Sequence, residues 1–288
     1  MINFRALPVI VMALSCRPSS AAYNGAITAA TAGSGRASVE ATDSPYLNPA
    51  TIPFVRGYNF TTSYSSATAS TVGSGGSSDL SLTLTDNMKD TVVPTSLGYT
   101  QGTVFRADQS KVTSKDVRLA FGERFSKNFS FGLAGHYKND RTEMDSYGQT
   151  NLTLAGAMAL TENISLGLVM DDILGASPSI PEDLKVRPNT GLGFSYNYKR
   201  VIRTKVDLVS GSNNNFGKPT LSGGVETFMN KWLILRIGMG RNQERSSNIF
   251  AGGLGFQGPK FGIHYAYQST QEEQNLNRHS VDLAIPIW

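Results

Sequence analysis

The chain has 288 residues, of which 17% are charged and 29 are glycine, with a net charge of +4 and a pI of about 9.1. That length suits one large core or one large barrel, and no shift in composition marks a second folded domain. No apolar run approaches the ~18 residues of a membrane helix, and Lys and Arg are scattered singly among Asp and Glu without a basic stripe or nucleic-acid motif. Helical membrane proteins and nucleic-acid partners are excluded on those grounds.

Residues 1–22 read as a secretory signal: Arg5, an apolar core from Ala6 to Leu14, and Ser19-Ser20-Ala21-Ala22, whose small side chains suit cleavage after Ala21 or Ala22. Leu14-Ser15-Cys16 also resembles a lipobox, with Ala13 where that motif usually has Leu, so two fates stand for Cys16, lipidation or removal with the leader. Cleavage at the ordinary site leaves the exported chain without a cysteine and without disulfides.

The stretch Gly33 to Val55 departs from everything that follows it. It offers one short helical opportunity, Arg36 to Ala41, closed by Asp43, Ser44 and Pro45. Ser44, Asn48 and Ile52 each precede a proline and are pushed toward extended backbone, while the Asn48 side chain can bond its own backbone further along. The result is a compact, bent segment, read here as an N-terminal plug over residues 23–55.

From Arg56 the pattern is strand after strand. Arg56 to Ser66 is the first, followed by a low-complexity loop from Ala67 to Ser78, strands near Asp79 to Thr85 and Thr91 to Gln101, and a polar loop through Lys111. The hairpin from Asp116 to Asn139 is the most legible: Val117, Leu119, Phe121 and Phe125 alternate with Arg118, Ala120, Gly122 and Arg124. After a turn at Lys127-Asn128, Phe129, Phe131, Leu133 and Tyr137 alternate with Ser130, Gly132, Ala134, His136 and Lys138. One face is oily and the other small or charged.

The unit recurs through Leu152 to Met170, Leu192 to Leu208, Leu221 to Arg241 and Asn248 to Ser269, and a last strand runs from Arg278 to Trp288. About fourteen strands result, each near the ~10 residues that cross an outer membrane at a tilt. Short turns near 127, 162, 200, 230 and 258 are interleaved with longer polar loops near 107, 143, 179, 214, 244 and 273, the asymmetry of periplasmic turns and outside loops. Phe125 with Phe129, Phe228 with Trp232, Phe256 with Phe261, and Tyr196 with Tyr198 flank the short turns as an interfacial girdle would. The fold class is therefore all-β, a transmembrane antiparallel up-and-down β-barrel over residues 56–288, placed in a bacterial outer membrane with its lipid as neighbour. Trp288 resembles the terminal aromatic by which the barrel-assembly machinery recognises its substrates, although Val281, Leu283, Ile285 and Ile287 alternate one residue out of phase with it.

Fourteen strands leave a lumen that small inward residues cannot fill, and the residues before the first strand are the segment available to enter it. Gly35-Arg36-Ala37, Ala41-Thr42-Asp43-Ser44 and Asn48-Pro49-Ala50 resemble the N-terminal hatch of FadL-type transporters of fatty acids and hydrocarbons and of the related PorV-like barrels. Gly191-Leu192-Gly193-Phe194, Asp207, and Gly224-Val225-Glu226 before Leu235-Arg236-Ile237-Gly238 resemble the closing hairpins of that superfamily. The resemblance implies passive uptake of a small hydrophobic ligand through a plugged lumen, with a PorV-like barrel that docks secretion or surface partners through its outer loops as the alternative. Within the plug motif, Arg36, Asp43, Asn48, Pro49 and Ala50 are read as mostly structural. Arg118, Arg124, His136, Lys138, Glu226, Arg236 and His264 are the candidate lumen-lining polar residues.

Enzyme activity is not expected. His279 and Ser280 are adjacent on a strand and so point to opposite faces. With 3 histidines and no His-x-x-x-His pair, neither a metal site nor a cofactor is predicted.

Overall fold

The computed structural model describes residues 25–69, 75–106, 110–272 and 275–287. The expectations for the leader, Cys16 and Trp288 lie outside them. The wall begins with β1 (Gly57–Ala69), β2 (Gly76–Asn87), β3 (Thr95–Phe105), β4 (Lys111–Arg124), β5 (Phe129–Arg141), β6 (Ser146–Ala159) and β7 (Ile164–Asp171). It continues with β8 (Asn189–Tyr198), β9 (Ile202–Gly211), β10 (Asn215–Phe228), β11 (Leu233–Asn242), β12 (Ser247–Gln257), β13 (Gly262–Gln271) and β14 (Leu276–Ile287). Each strand pairs antiparallel with its sequence neighbours, and β14 pairs with β1 from Ile287 opposite Tyr58 to Leu276 opposite Ala69, closing the barrel. Closure gives every strand two partners, so no strand presents an unpaired edge.

The period of two decides which way each side chain points. On β5, Phe129, Phe131, Leu133 and Tyr137 face outward and exposed, whereas Ser130, Ala134, His136 and Lys138 are buried inside. A face of exposed Phe, Leu, Tyr, Val and Ile surrounds the barrel. Left in water, such a face would cost about 1.5–3 kcal/mol for each large side chain relative to an apolar setting.

The strands run longer than the sequence pattern predicts. Ala67–Ala69 belong to β1 and Gly76–Ser78 to β2, so the low-complexity loop shrinks from both ends; Lys111 opens β4, while residues 91–94 are not strand but part of the link that turns at 89–90 ahead of β3. Polar hairpin arms stay paired beyond the apolar belt, because a backbone leaving the ladder would forfeit its hydrogen bonds. Hence the links at 142–145, 212–214 and 243–246 are as short as most turns at the opposite end, and among the fully described links at that end 172–188 alone is long. At the girdle, Phe125 and Phe129 lie 6.1 Å apart and Phe256 and Phe261 5.7 Å apart. Phe228, expected beside Trp232, instead shares the inward parity of Glu226 and lies under the Arg203 guanidinium, and Trp232 stacks on Phe256.

Residues 25–55 lie within the ring and pass along nearly its whole inner circumference. A short helix α1 (Ala26–Ala30) packs on β11 to β14, and a second, α2 (Ser44–Leu47), reaches β3 and β4. A 3-10 turn, Pro49–Phe54, lies on β2, β4, β5 and β6. Arg36 to Ala41 is not helical: the Arg36 carbonyl, which a helix would pair with the Glu40 amide, accepts from the Asn48 side-chain amide at 2.6 Å, and the amides of Gly35 and Arg36 are held by the Asp207 carboxylate at 2.9 and 3.0 Å. The helix starts instead at Ser44, with Pro45 in its first turn where the missing N–H is not needed.

Wall and segment meet backbone to backbone, and glycine permits it. A Cβ on Gly132 would lie 2.2 Å from the Ala50 nitrogen, one on Gly167 2.2 Å from the Arg36 carbonyl oxygen, and one on Gly238 2.5 Å from the Thr31 carbonyl carbon. Outward Gly135 meets only a Leu152 methyl at 3.6 Å. Gly132→Val is therefore expected to expel residues 49–54 from their seat at a cost of about 1–3 kcal/mol or more. Limited proteolysis from the open end of the barrel should cut residues 25–55 faster in that variant, and at the wild-type rate in Gly135→Ala.

Candidate functional site

The site is the lumen, defined by how the segment is held. The inward face of β9 carries Arg203, Lys205 and Asp207 at every second position, and β10 and β11 bring Glu226 and Arg236 beside them. Asp207, fully buried, accepts from both amides at Gly35 and Arg36 and from the Arg36 guanidinium at 3.1 Å, so one carboxylate binds backbone and side chain of the same turn. Charge-assisted bonds of this kind are worth about twice neutral ones.

Next to it, Glu226 receives Lys205 at 2.5 Å and Arg203 and Arg236 at 3.4 Å each. The segment adds Glu40, which pairs with Arg203 and stands 3.6 Å from Lys205. Three wall cations are thus shared between one wall carboxylate and one segment carboxylate. Arg236 also reaches the His264 Nδ1 at 3.2 Å, and the His264 Nε2 meets the Gln257 side-chain oxygen at 3.2 Å, fixing that ring against the wall.

The remaining predicted residues fall into two groups. Those that touch the segment include Arg124, whose guanidinium donates to the Pro53 carbonyl at 2.5 Å and covers the Phe54 ring at 4.3 Å; Arg118 lies 5.7 Å from the centre of the Tyr46 ring. Those that touch only the wall or its loops are Lys138, 2.7 Å from Asp140, and His136, whose two ring nitrogens meet Asp116 at 2.7 Å and Asp172 at 2.9 Å. Within the segment, Asn48 is a clasp: its oxygen accepts from the Ala50 amide at 2.9 Å and its amide donates to the Arg36 carbonyl at 2.6 Å. Pro49 and Ala50 lie over Gly122 and Gly132, and the Ser130 hydroxyl donates to the Ala50 carbonyl at 2.6 Å. Asp43 accepts from the Thr28 hydroxyl, tying α2 to α1.

Sequence reasoning passed over Glu40, Arg203, Lys205 and Asp282, which receives the Ala26 amide at 2.7 Å. The parity of β9 between outward Ile202, Val206 and Leu208 marks Arg203 and Lys205 as inward; nothing local marks Glu40.

Two further features bound the lumen. The 172–188 loop folds back over the rim, placing Ile180 and Leu184 against Val112 and Tyr147, with Gln149 donating to the Leu184 carbonyl at 2.9 Å. On the outer wall between β5 and β9 an apolar concavity of about 810 Å³ is lined by Phe131, Leu154, Met158, Leu168, Leu192 and Phe194. It opens because outward Gly156 leaves no side chain between Phe131 on β5 and Leu168 on β7.

No protein-family model matches the chain, and no curated protein does. Solved structures do match. The CymD monoaromatic hydrocarbon channel superposes with a TM-score of 0.72 at 12% identity, over 91% of this chain and 97% of that one. The Ralstonia pickettii toluene transporter TbuX gives 0.67 at 12% identity, over 91% and 97%. A Pseudomonas aeruginosa FadL homologue gives 0.69 at 10% identity, over 93% and 98%. The likeness is one of fold: this chain shares the barrel fold of those solved structures.

Proposed function

We propose that this chain is an outer-membrane barrel for passive uptake of small hydrophobic molecules, with residues 25–55 acting as a plug in its lumen. The observation that carries the reading is the charge-tethered segment seated against the glycine-lined wall. A barrel needed only as a scaffold gains nothing from a second layer of chain held by buried ion pairs, whose desolvation offsets much of their attraction. The likeness to hydrocarbon channels supports the same reading, as do the apolar belt, which suits a lipid setting, and the oily concavity beside β6 and β7, which suits an aromatic or aliphatic ligand. The 172–188 loop speaks for transport over partner docking, since its apolar residues Ile180 and Leu184 turn into the mouth and not outward.

In this mechanism a ligand entering the mouth meets the segment, and passage needs a shift of the contacts around Asp207 and Glu226. Deletion of residues 23–53 is expected to convert a closed barrel into a steadily conducting pore in planar bilayers, and unchanged conductance would refute the plug. Point variants should act in a graded way. Asp207→Ala, which strands two amides and a guanidinium, is expected to raise open-channel events more than Arg36→Ala, which removes one partner. The double variant should exceed Asp207→Ala by little, because both substitutions break one contact set. Single-channel recording of the three variants measures this directly.

A further inference from the structure

We propose that the outer wall at the far ends of β3, β4 and β5, remote from the barrel's termini, is a binding site for the phosphorylated headgroup of a membrane lipid. This rests on the membrane placement proposed above and is separate from transport. Lys111, Lys115 and Arg141 point outward and are exposed, sharing the parity of Val117, Leu119 and Tyr137 in the apolar belt. The register gathers them: Lys115 lies between Gln101 on β3 and Asn139 on β5, Arg141 lies beside Thr113, and Lys111 follows on the same face of β4. Together these six residues line a concavity of about 890 Å³. Among the described residues, none of the three cations makes a salt bridge, whereas Arg106, Arg187 and Lys185 on the neighbouring rim all do.

The neutral groups are committed in a way that favours an anion. The Gln101 oxygen accepts from the Tyr99 hydroxyl at 2.9 Å and the Asn139 oxygen accepts from the Ser146 hydroxyl at 3.0 Å, which leaves both side-chain amides as donors. The concavity therefore offers two ammonium groups, a guanidinium and two amide N–H donors to a ligand rich in acceptor oxygens, and a guanidinium fits phosphate in a two-pronged way. Its acidic residues, Glu143 and Asp145, sit in the 142–145 turn at the end away from the belt, and Asp145 already accepts from the Tyr147 hydroxyl at 3.2 Å. Reading along the barrel axis, the order is oily belt, Lys115 with the two amides, Arg141, then the acidic turn with Lys111 level with its start. An amphiphile meets that order with its chains on Leu97, Val117 and Leu133 and its phosphates above Tyr99 and Tyr137; a free anion would have no use for the belt. Anionic lipid headgroups are drawn electrostatically to such juxtamembrane cations.

The test is native mass spectrometry of the full chain released from phosphatidylcholine nanodiscs doped with diphosphoryl lipid A, run beside the dephosphorylated lipid and beside inorganic phosphate at millimolar concentration. Wild type is expected to hold diphosphoryl lipid A at least tenfold better than K111Q/K115Q/R141Q and than it holds the dephosphorylated lipid. Arg241→Gln, which removes a lone outward cation on β11, should bind as wild type. Heat-modifiable gel mobility checks that the triple variant folds, and K115Q alone, expected to lose several-fold, replaces it if it does not. Equal retention by wild type and the variant, equal retention of the dephosphorylated lipid, or displacement by inorganic phosphate overturns the site. A wild-type barrel that enters the nanodisc yet holds no lipid A overturns this inference alone, whereas one that stays outside the lipid overturns the membrane placement with it.

Discussion

The constraint on which the structure depends is the direct approach of one backbone to another inside a closed ring. Fourteen strands enclose more space than their own small inward side chains occupy, and that space is taken up by a segment whose main chain rests on the wall at Gly132, Gly167 and Gly238. At those positions a methyl group would overlap the segment's backbone atoms, so the wall is shaped by what its residues lack. The same glycines would weaken an ordinary strand through lost packing and added entropy in the unfolded chain. Their concentration on the inward face makes sense only with a second layer of chain against it.

Close approach alone gives position without register, and the charges supply the register. Asp207 fixes one turn of the segment through three donors, and Glu40 places the next stretch against Arg203 and Lys205. Asn48 then links Arg36 to Ala50 within the segment, so the two halves move as one body. Because each contact uses a buried charge or amide, release of the segment must expose several such groups together. That couples the anchoring points: a partial shift leaves donors stranded in a poorly hydrated lumen, at about 1–3 kcal/mol each, and the seated state is favoured over half-released ones.

The sequence disclosed the barrel because its signal is a strict alternation that any outward slip would destroy, and Phe131, Leu133 and Tyr137 can be assigned to the outer face from spacing alone. The bends at the prolines and the Asn48 bond to its own backbone were legible for the same reason: both are local. The helical expectation for Arg36 to Ala41 failed because the Arg36 carbonyl is taken by the Asn48 side chain beyond the stretch, while Asp207, more than 170 residues away, fixes the turn at Gly35 and Arg36. Helix α1 went unread because alanines and threonines beside small residues carry no amphipathic period, and burial on all sides settles its conformation. Phe228 misled through type: an aromatic next to a turn suggests a girdle, but its parity with Glu226 places it inside, where Arg203 covers its ring.

The wall is also not uniform along its height, and the difference follows from strand length. β4, β5 and β6 have 14, 13 and 14 residues, whereas β7, β8 and β9 have 8, 10 and 10. β6 pairs with β7 only from Leu154 to Ala159, so its first half rises past the point where β7 ends. There the 172–188 loop replaces the missing ladder with side-chain bonds: the Asn151 amide donates to the Gly175 carbonyl at 2.9 Å, its oxygen accepts from the Leu174 amide at 2.9 Å, and Gln149 spans to Leu184 and Val186. His136, between Asp116 on the wall and Asp172 at the root of the loop, ties the loop's start to the neighbouring strands. Backbone bonds from the Ile173 amide to the Leu152 carbonyl and from the Asn214 amide to the Pro188 carbonyl fix the two ends of the loop. The rim at β6 to β8 is accordingly closed by loop side chains where the β6–β7 ladder stops short.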